Sequence, residues 1–191
     1  MKSRLVLLLA ALAAFNALSG CGGGGSSSTP EPATIAPASS SVFVEAAVRP
    51  QGSVKSNIES LAQNVAGIDD LGTKIVGELE KSAKEDGEPF DYAKEVEPWL
   101  GEEGAVFLTG YDGDNFSGHG FVLQTTDTGA TQEFVDRQAK SDKEPVTEGS
   151  YEGIEYKTEA DGTTIGVVGD FLVIGGDTKS FKEVVDASNG E

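Results

Sequence analysis

Ser117 and His119 are the two residues of this chain that could form a nucleophile and its base. They lie two positions apart, a spacing that places both side chains on one face of a strand. However, Ser117 is not in a Gly-x-Ser-x-Gly elbow, and Gly118 and Gly120 indicate a bulge or close strand packing instead. The sequence therefore predicts no catalytic residue and favours a protein that is not an enzyme.

A short acidic stretch offers oxygen atoms that a calcium ion could bind. Asp112, Asp114 and Asn115 lie close together, but the EF-hand pattern would also need an oxygen ligand where Phe116 stands. A hairpin turn is the favoured interpretation. A weak calcium site formed by Asp112, Asp114 and Asn115 is the alternative.

The sequence shows no signature of a cofactor site. A single histidine and a single cysteine do not supply the ligands of a conventional zinc site. Four glycines near the C-terminus match neither a Walker loop nor a dinucleotide-binding loop. These glycines are Gly166, Gly169, Gly175 and Gly176. We therefore expect no metal ion, nucleotide or redox cofactor.

Residues 1–20 have the composition of a secretory signal peptide. Lys2 and Arg4 give a positive start, Leu5–Phe15 is apolar, and small residues follow. The apolar run is roughly half as long as the ~20 residues that a helix needs to cross a bilayer. The pattern predicts a cleaved signal rather than a membrane span.

The residues around the only cysteine resemble a bacterial lipobox. Leu18, Ser19 and Gly20 immediately precede Cys21. In bacterial lipoproteins the lipoprotein signal peptidase recognises the residues at these positions. In bacterial lipoproteins the cysteine begins the mature protein and carries acyl chains such as palmitate, and each buried methylene contributes ~0.8 kcal/mol of anchoring. We expect a protein anchored through lipid on Cys21 at the outer face of the bacterial cytoplasmic membrane. An ordinary signal peptide that leaves a free thiol is the alternative.

Acidic residues dominate the charge of the chain. The sequence contains 32 Asp and Glu against 14 Lys and Arg, which gives a formal net charge of −18. Cleavage of the signal removes Lys2 and Arg4 and no acid, so −18 becomes −20. Such a surface repels nucleic acid and anionic lipid headgroups. We interpret the charge as a source of solubility, with cations or a basic partner as the alternative.

Composition divides the mature chain into two parts. Residues 21–41 are rich in Gly, Ser and Pro without hydrophobic periodicity, which predicts a disordered tether that reaches roughly 25 Å. Residues 42–191 are enough for a single domain with a substantial core and no internal disulfide. The final Asn189-Gly190-Glu191 is compatible with a natural helix end and with truncation at the C-terminus.

Hydrophobic periodicity predicts the elements of the domain. Strands are expected at 42–48, 105–112, 116–125, 151–158, 163–168 and 171–174, and helices at 53–79, 127–139 and 177–187. The first helix should bend or break near Gly67, and its apolar stripe is interpreted as core, with a partner-binding face as the alternative. Asp161-Gly162 predicts a type I′ turn, and Gly169-Asp170 predicts a type II′ turn.

A weak internal repeat of the sequence, with a shift of fifty residues, indicates the architecture. We call this repeat the echo. Phe121, Asp127, Thr128, Glu133, Val135 and Asp136 align with Phe171, Asp177, Thr178, Glu183, Val185 and Asp186. Each copy is a hairpin whose second strand leads into a helix capped by Asp-Thr, and such units are expected to share one sheet. The sequence predicts an α+β domain with a mainly antiparallel sheet, built from repeated hairpin-helix units with the helices packed on one face.

Several segments together resemble one bacterial family. They are the lipobox, the tether, the strand Ser41–Glu45, the segment from Asp91-Tyr92 to Pro98-Trp99-Leu100-Gly101, and Asp177-Thr178 before a helix. These segments look like the family catalogued as domain of unknown function 3352. The resemblance implies a secreted or membrane-anchored protein, usually longer than this chain, with no assigned activity and no catalytic residue to carry over.

The leading hypothesis is a non-catalytic lipoprotein that binds an envelope component or another protein. Trp99, the only tryptophan, is interpreted as an anchor of the core, with contact to a partner as the alternative. Two other hypotheses stay open, which are an extracytoplasmic hydrolase or its remnant, and a fragment of a longer binding protein.

Overall fold

The computed structural model describes residues 30–67, 69–85, 90–142 and 144–190, with the backbone alone at residues 65 and 66. The strands are β1 (Ser40–Ala47), β2 (Leu100–Thr109), β3 (Gly118–Thr125), β4 (Thr147–Tyr151), β5 (Ile154–Thr158), β6 (Thr164–Val168) and β7 (Phe171–Gly175). The helices are α1 (Gly52–Ala66), α2 (Leu71–Glu85), α3 (Tyr92–Glu95), α4 (Thr128–Ser141) and α5 (Thr178–Ser188), and a short 3-10 helix (Pro32–Ile35) precedes β1.

The strands form one sheet of seven in the order β1-β2-β3-β7-β6-β5-β4. Every neighbouring pair is antiparallel. The central strand β7 is buried on both faces, since Leu172 and Val173 point in opposite directions and each is 0 % exposed. The predicted α+β class and antiparallel sheet are therefore confirmed.

The two longest C-terminal helices lie on opposite faces of this sheet. Phe134 of α4 packs in a buried cluster with Leu123, whereas Phe181 of α5 packs in a second cluster with Val122. Neighbouring residues of a strand point to opposite faces, so the two clusters lie on either side of β3. The prediction that the helices pack on one face is wrong, because the register between β3 and β7 sends each helix to a different side.

The last part of the predicted tether belongs to the folded domain. Ile35 is 6 % exposed and packs in the same cluster as Phe181. The amide of Gln124 donates to the Pro30 carbonyl oxygen at 3.0 Å, and the Ala33 N–H donates to the Glu45 carboxylate at 2.7 Å. These contacts correct the expected boundary at residue 42, since a buried isoleucine fixes the segment before β1. Residues 21–29 of the predicted tether lie outside the described residues.

The predicted first helix is two helices that differ in burial. Gly67, with φ 67°, ends α1 in a left-handed cap, which confirms the break predicted there. Leu71 and Leu79 of α2 are buried, whereas in α1 Ile58 is half-buried and Leu61 is 50 % exposed. The interpretation of the apolar stripe as core is therefore right at these two residues of α2 and wrong at Leu61 of α1.

The sequence did not predict strand β4, and the strand predicted at 151–158 contains the turn of the β4-β5 hairpin followed by β5. Tyr151 pairs with Ile154, and the two residues between them, Glu152 and Gly153, have φ of 49° and 82°. Positive φ at both positions is the mark of a type I′ turn. The turn was missed because Glu-Gly lacks the Asn-Gly or Asp-Gly signal of such turns.

The other two predicted turns have different outcomes. Gly169, with φ 56°, lies between the paired residues Val168 and Phe171, which confirms the type II′ turn. The loop from β5 to β6 is longer, because the Glu159 N–H donates to the Thr163 carbonyl oxygen at 2.8 Å around a three-residue loop. The type I′ prediction at Asp161-Gly162 is therefore wrong.

Candidate functional site

The predicted lipidation site lies outside the described residues. Leu18, Ser19, Gly20 and Cys21 all belong to residues 1–29, of which the structure describes nothing. Over the described ranges 30–67, 69–85, 90–142 and 144–190, no helix is both long enough and apolar enough to span a bilayer. The anchoring prediction therefore depends on the sequence.

Trp99 lies in the core and presents no surface to a partner. Its side chain is 1 % exposed, and its indole N–H donates to the Glu95 carbonyl oxygen at 2.6 Å. Its ring is 5.2 Å from the ring of Phe134, centroid to centroid. This burial corrects the expectation that Trp99 could contact a partner, because α3 and α4 cover the ring on the inside of the fold.

The acidic stretch before β3 folds as a turn closed by its own side chain. One carboxylate oxygen of Asp112 accepts hydrogen bonds from the N–H groups of Asp114, at 3.0 Å, and Asn115, at 2.9 Å. These backbone hydrogen bonds hold the pKa of Asp112 below its usual range. Within the part of the chain that the structure describes, no three His, Cys, Asp or Glu side chains converge as metal ligands would. The geometry is that of an Asx turn.

Ser117 and His119 do not form the nucleophile and base that their spacing suggests. Ser117 precedes β3, and its hydroxyl lies against Gly110. The His119 imidazole packs against Gly176. No hydrogen bond joins these two described side chains, and Gly120 lies so close to Phe107 that a Cβ there would be 2.5 Å from the ring. Close strand packing therefore accounts for the glycines of this strand.

A groove that the sequence did not predict lies between α4 and the β4-β5 hairpin. It has a volume of about 320 Å³ and is lined by residues that include Gln132, Glu148 and Tyr156. The Lys157 ammonium lies in it, 2.5 Å from a Glu148 carboxylate oxygen and 3.3 Å from an Asp136 one. The hydrogen bond that Lys157 donates to Glu148, followed by the one that it donates to Asp136, raises the pKa of Lys157. With two carboxylates beside it, Lys157 joins the hairpin to α4.

The most exposed apolar surface of the sheet lies on strand β1. Val42 and Val44 are 38 % and 46 % exposed, and they pair with the half-buried Leu108 and Val106 of β2. We call these four residues the β1 surface. A sequence signal for it exists, because Val42-Phe43-Val44 is apolar on both faces of a strand, but the sequence does not say that β1 lies at the sheet edge.

A pair of exposed aromatic rings lies at the end of the β2-β3 hairpin. Tyr111 and Phe116 are 54 % and 42 % exposed, and their ring centroids are 4.9 Å apart. The Tyr111 hydroxyl donates to the Gly113 carbonyl oxygen at 2.6 Å. The pair thus closes the loop that contains Asp112 and stabilises its turn.

These features define an α+β domain in which an antiparallel sheet carries helices on both faces and exposes two valines on the edge strand β1. The chain matches, over residues 3–191, the family model described as Protein of unknown function (DUF3352), and it belongs to that family. The family resemblance of the sequence is thereby confirmed. No curated protein and no solved structure matches the chain.

Proposed function

We propose that this protein is a lipid-anchored lipoprotein whose domain binds a partner outside the cytoplasmic membrane without catalysing a reaction. The observation that carries the proposal is the position of Cys21, directly after Leu18-Ser19-Gly20 and an apolar run too short to span a bilayer. Diacylation of this cysteine would hold the chain in the outer leaflet.

The folded N-terminal segment supports a close approach of the domain to the membrane. Gln124 fixes Pro30 to the sheet, so only residues 22–29 separate the anchored Cys21 from the domain. Even a fully extended chain spans at most about 30 Å over this stretch. The end of the sheet where β3 ends therefore stays near the bilayer.

The β1 surface supports a binding role for the domain. Val42 and Val44 keep a large part of their side chains in water, although burial would stabilise each of them. Exposed apolar residues that are grouped on one sheet edge are typical of interaction sites. A partner that covered β1 would bury both.

The anchor is tested by replacing Cys21 with Ala in cells that produce the full chain. We expect wild-type protein in the membrane fraction and the variant in the soluble extracytoplasmic fraction, because the variant lacks the acylated sulfur. Mass spectrometry of the mature N-terminus should find acyl chains on Cys21. A Ser27→Ala variant serves as the control, since it changes the same chain region and keeps the lipobox.

Two results would contradict the proposed function. Sedimentation of the Cys21→Ala protein with membranes would show that the cysteine is not the anchor. Hydrolysis of any ester, peptide or glycoside by the purified full chain, with loss of the activity on one side-chain substitution, would show that the protein is an enzyme.

A further inference from the structure

Helix α1 carries three apolar residues that the rest of the domain leaves partly exposed. Val54, Ile58 and Leu61 recur at spacings of four and three residues, so they lie on one side of the helix, and we call them the α1 stripe. Val54 and Leu61 are 45 % and 50 % exposed, and Ile58 is half-buried. Among the residues whose burial the structure describes, α1 has no buried side chain, whereas α2, α4 and α5 each have several. The α1 stripe is therefore available to an external surface.

The charged residues of α1 lie away from this stripe. Lys55 and Glu59 form an ion pair of 3.8 Å, and 3.6 residues per turn place them about 100° and 140° around the helix axis from Val54. Residues 46–58 contain Arg49 and Lys55 and no Asp or Glu, in a chain whose net charge is −18. The segment that begins α1 therefore lacks the negative charge by which most of the chain repels anionic lipid headgroups.

Helix α1 begins at the end of the sheet where the N-terminal segment enters the domain. The Val48 N–H donates to the Glu102 carbonyl oxygen at 2.8 Å. The N–H of the same Glu102 donates to the Gln124 side chain, which in turn holds Pro30. Gly52, the first residue of α1, follows Val48 by four residues, so at most about 14 Å of chain separates them. Pro30 and the start of α1 therefore lie at the same end of the sheet.

The proposed anchor brings this end of the sheet to the bilayer. Residues 22–29 connect Cys21 to Pro30 and reach at most about 30 Å. Helix α1 has 15 residues and is about 22 Å long. Since its start lies at the same sheet end as Pro30, a bilayer that holds Cys21 is a surface within reach of the α1 stripe.

From the exposure, the charge and the position of this helix we infer that α1 lies on the phospholipid bilayer as an interfacial helix, with Val54 and Leu61 at the boundary between headgroups and acyl chains. The inference rests on the lipid anchor of the proposed function, because an anchored chain meets the bilayer at a high effective concentration. Under that condition three apolar side chains are enough for contact. The contact orients the domain, so that the β2-β3 hairpin, at the opposite end of the sheet, points away from the membrane.

A second copy of the chain fits the α1 stripe less well than a bilayer does. Two copies with a net charge of −18 each repel one another. Three apolar side chains also bury far less area than the roughly 1,200 Å² that a stable protein interface needs. A surface of zwitterionic headgroups causes no such repulsion, and the anchor removes the need for a large contact area.

The inference is tested with brominated lipids and two tryptophan variants. The mature protein, purified with its lipid on Cys21, is reconstituted into phosphatidylcholine vesicles whose acyl chains carry bromine near the headgroup. Leu61→Trp places an indole on the α1 stripe, and Ser56→Trp places one on another exposed side of α1, while the buried Trp99 contributes the same emission to both. An interfacial helix buries its apolar face about 5–10 Å deep. Bromine should therefore quench about half or more of the emission that Leu61→Trp adds, and little of the emission that Ser56→Trp adds.

A matched pair of charge variants tests the same contact without a tryptophan. On the vesicles, Leu61→Asp should speed the amide exchange of α1 by about tenfold, because it replaces an apolar side chain that the bilayer covers. Ser56→Asp makes the same change in net charge and should leave the exchange of α1 slow. In the Cys21→Ala chain without vesicles, the two variants should exchange at similar rates.

Several outcomes would overturn the inference. Equal quenching of the two tryptophans would show that α1 has no preferred face toward the lipid, and quenching of neither would remove the bilayer contact while leaving the anchor standing. A difference between the two Asp variants that persists without vesicles would show that Leu61 stabilises the helix itself. Self-association that Leu61→Asp abolishes would make a second copy the occupant, and a photo-crosslink from residue 61 in cells to a protein instead of lipid would make a partner the occupant.

Failure of the anchor is a separate result. A bare Cys21 thiol in the mature protein would contradict the proposed function. The same sulfur, coupled to a maleimide lipid in the vesicles, would then still measure whether the α1 stripe enters a bilayer that the chain is tethered to.

Discussion

Gln124 of β3 and Phe171 of β7 are paired across the centre of the sheet. Paired residues of antiparallel strands point to the same face, and Phe121 lies three residues before Gln124, so Phe121 and Phe171 point to opposite faces. These are the phenylalanines that the fifty-residue echo aligns. In each unit the helix packs on the face of its own phenylalanine, α4 with Phe121 and α5 with Phe171.

Because the two cores lie on opposite faces, mutations in them should act independently. Phe134 and Phe181 are 2 % and 0 % exposed, and Phe→Leu at either position should cost about 1 kcal/mol of the free energy of unfolding. In the double variant the two losses should add within about 0.5 kcal/mol, since no described cluster contains both residues. Urea unfolding measures all three variants. A larger coupling would place the helices in one core.

The contact of Gln124 with the N-terminal segment gives a second prediction. Its side chain is 4 % exposed, donates to Pro30 and accepts from the Glu102 N–H at 3.0 Å. Gln124→Leu leaves the Pro30 carbonyl oxygen and the Glu102 N–H without this partner. The variant should lose about 1–3 kcal/mol of the free energy of unfolding. Amide exchange of residues 31–36 should become faster than in Gln132→Leu, which changes a groove residue of α4. Unchanged exchange would show that Ile35 alone holds the segment.

Glu103 should make stability depend on pH in an unusual direction. Burial and neighbouring carboxylates raise its pKa in the folded state, so its ionised form favours unfolding. The loss of stability caused by ionised Glu103 is absent below the unfolded pKa of about 4.3. This loss grows as the pH rises to the folded pKa, and it is complete above the folded pKa. Glu103→Gln should therefore stabilise the protein at pH 7 by about 0.5 kcal/mol, and the gain should vanish in acid. A loss of stability at pH 7 would contradict this.

The Asp112 turn gives a prediction about both pH and calcium. Its backbone hydrogen bonds lower the pKa of Asp112, so the stability that the carboxylate contributes is present above the unfolded pKa and is lost as the pH falls through the folded pKa. Asp112→Ala should lower the Tm at neutral pH and not at pH 2. We expect calcium at about 1 mM, a level that weak extracellular sites bind, to leave the wild-type Tm unchanged. A rise in Tm that Asp112→Ala abolishes would establish the calcium site.

The two helix caps that the echo aligns, Asp127 and Asp177, should contribute equally to the free energy of unfolding. Asp127 accepts from the Ala130 N–H at 2.9 Å, and Asp177 accepts from the Ser180 N–H at 2.7 Å. Each Asp→Ala variant should cost about 1 kcal/mol. Thermal unfolding of Asp127→Ala and Asp177→Ala measures this, with Asp→Asn at either position as the control that keeps a capping oxygen. Full stability of both alanine variants would show that the caps add nothing.

The parts of the candidate site differ in how far the sequence could predict them. The apolar character of Val42-Phe43-Val44 is legible in the sequence, but its exposure is not, because it depends on β1 lying at the edge. Trp99 differs from these valines, because the structure places it in the core and not at the surface. A lone tryptophan is compatible with a core and with a surface, and only the contact with Phe134 places it inside. The groove at Lys157 combines residues from α4 and the β4-β5 hairpin that have no sequence spacing in common.

By itself the sequence determined the class of this domain and most of its elements, since strand alternation, helix caps at Asp127 and Asp177, and the break at Gly67 arise from interactions within a few residues. Tertiary structure alone decided that α4 and α5 occupy opposite faces and that residues 30–39 belong to the fold. The physical reason is register: a shift of one residue between β3 and β7 turns every side chain of a strand to the other face, and no local pattern records that choice.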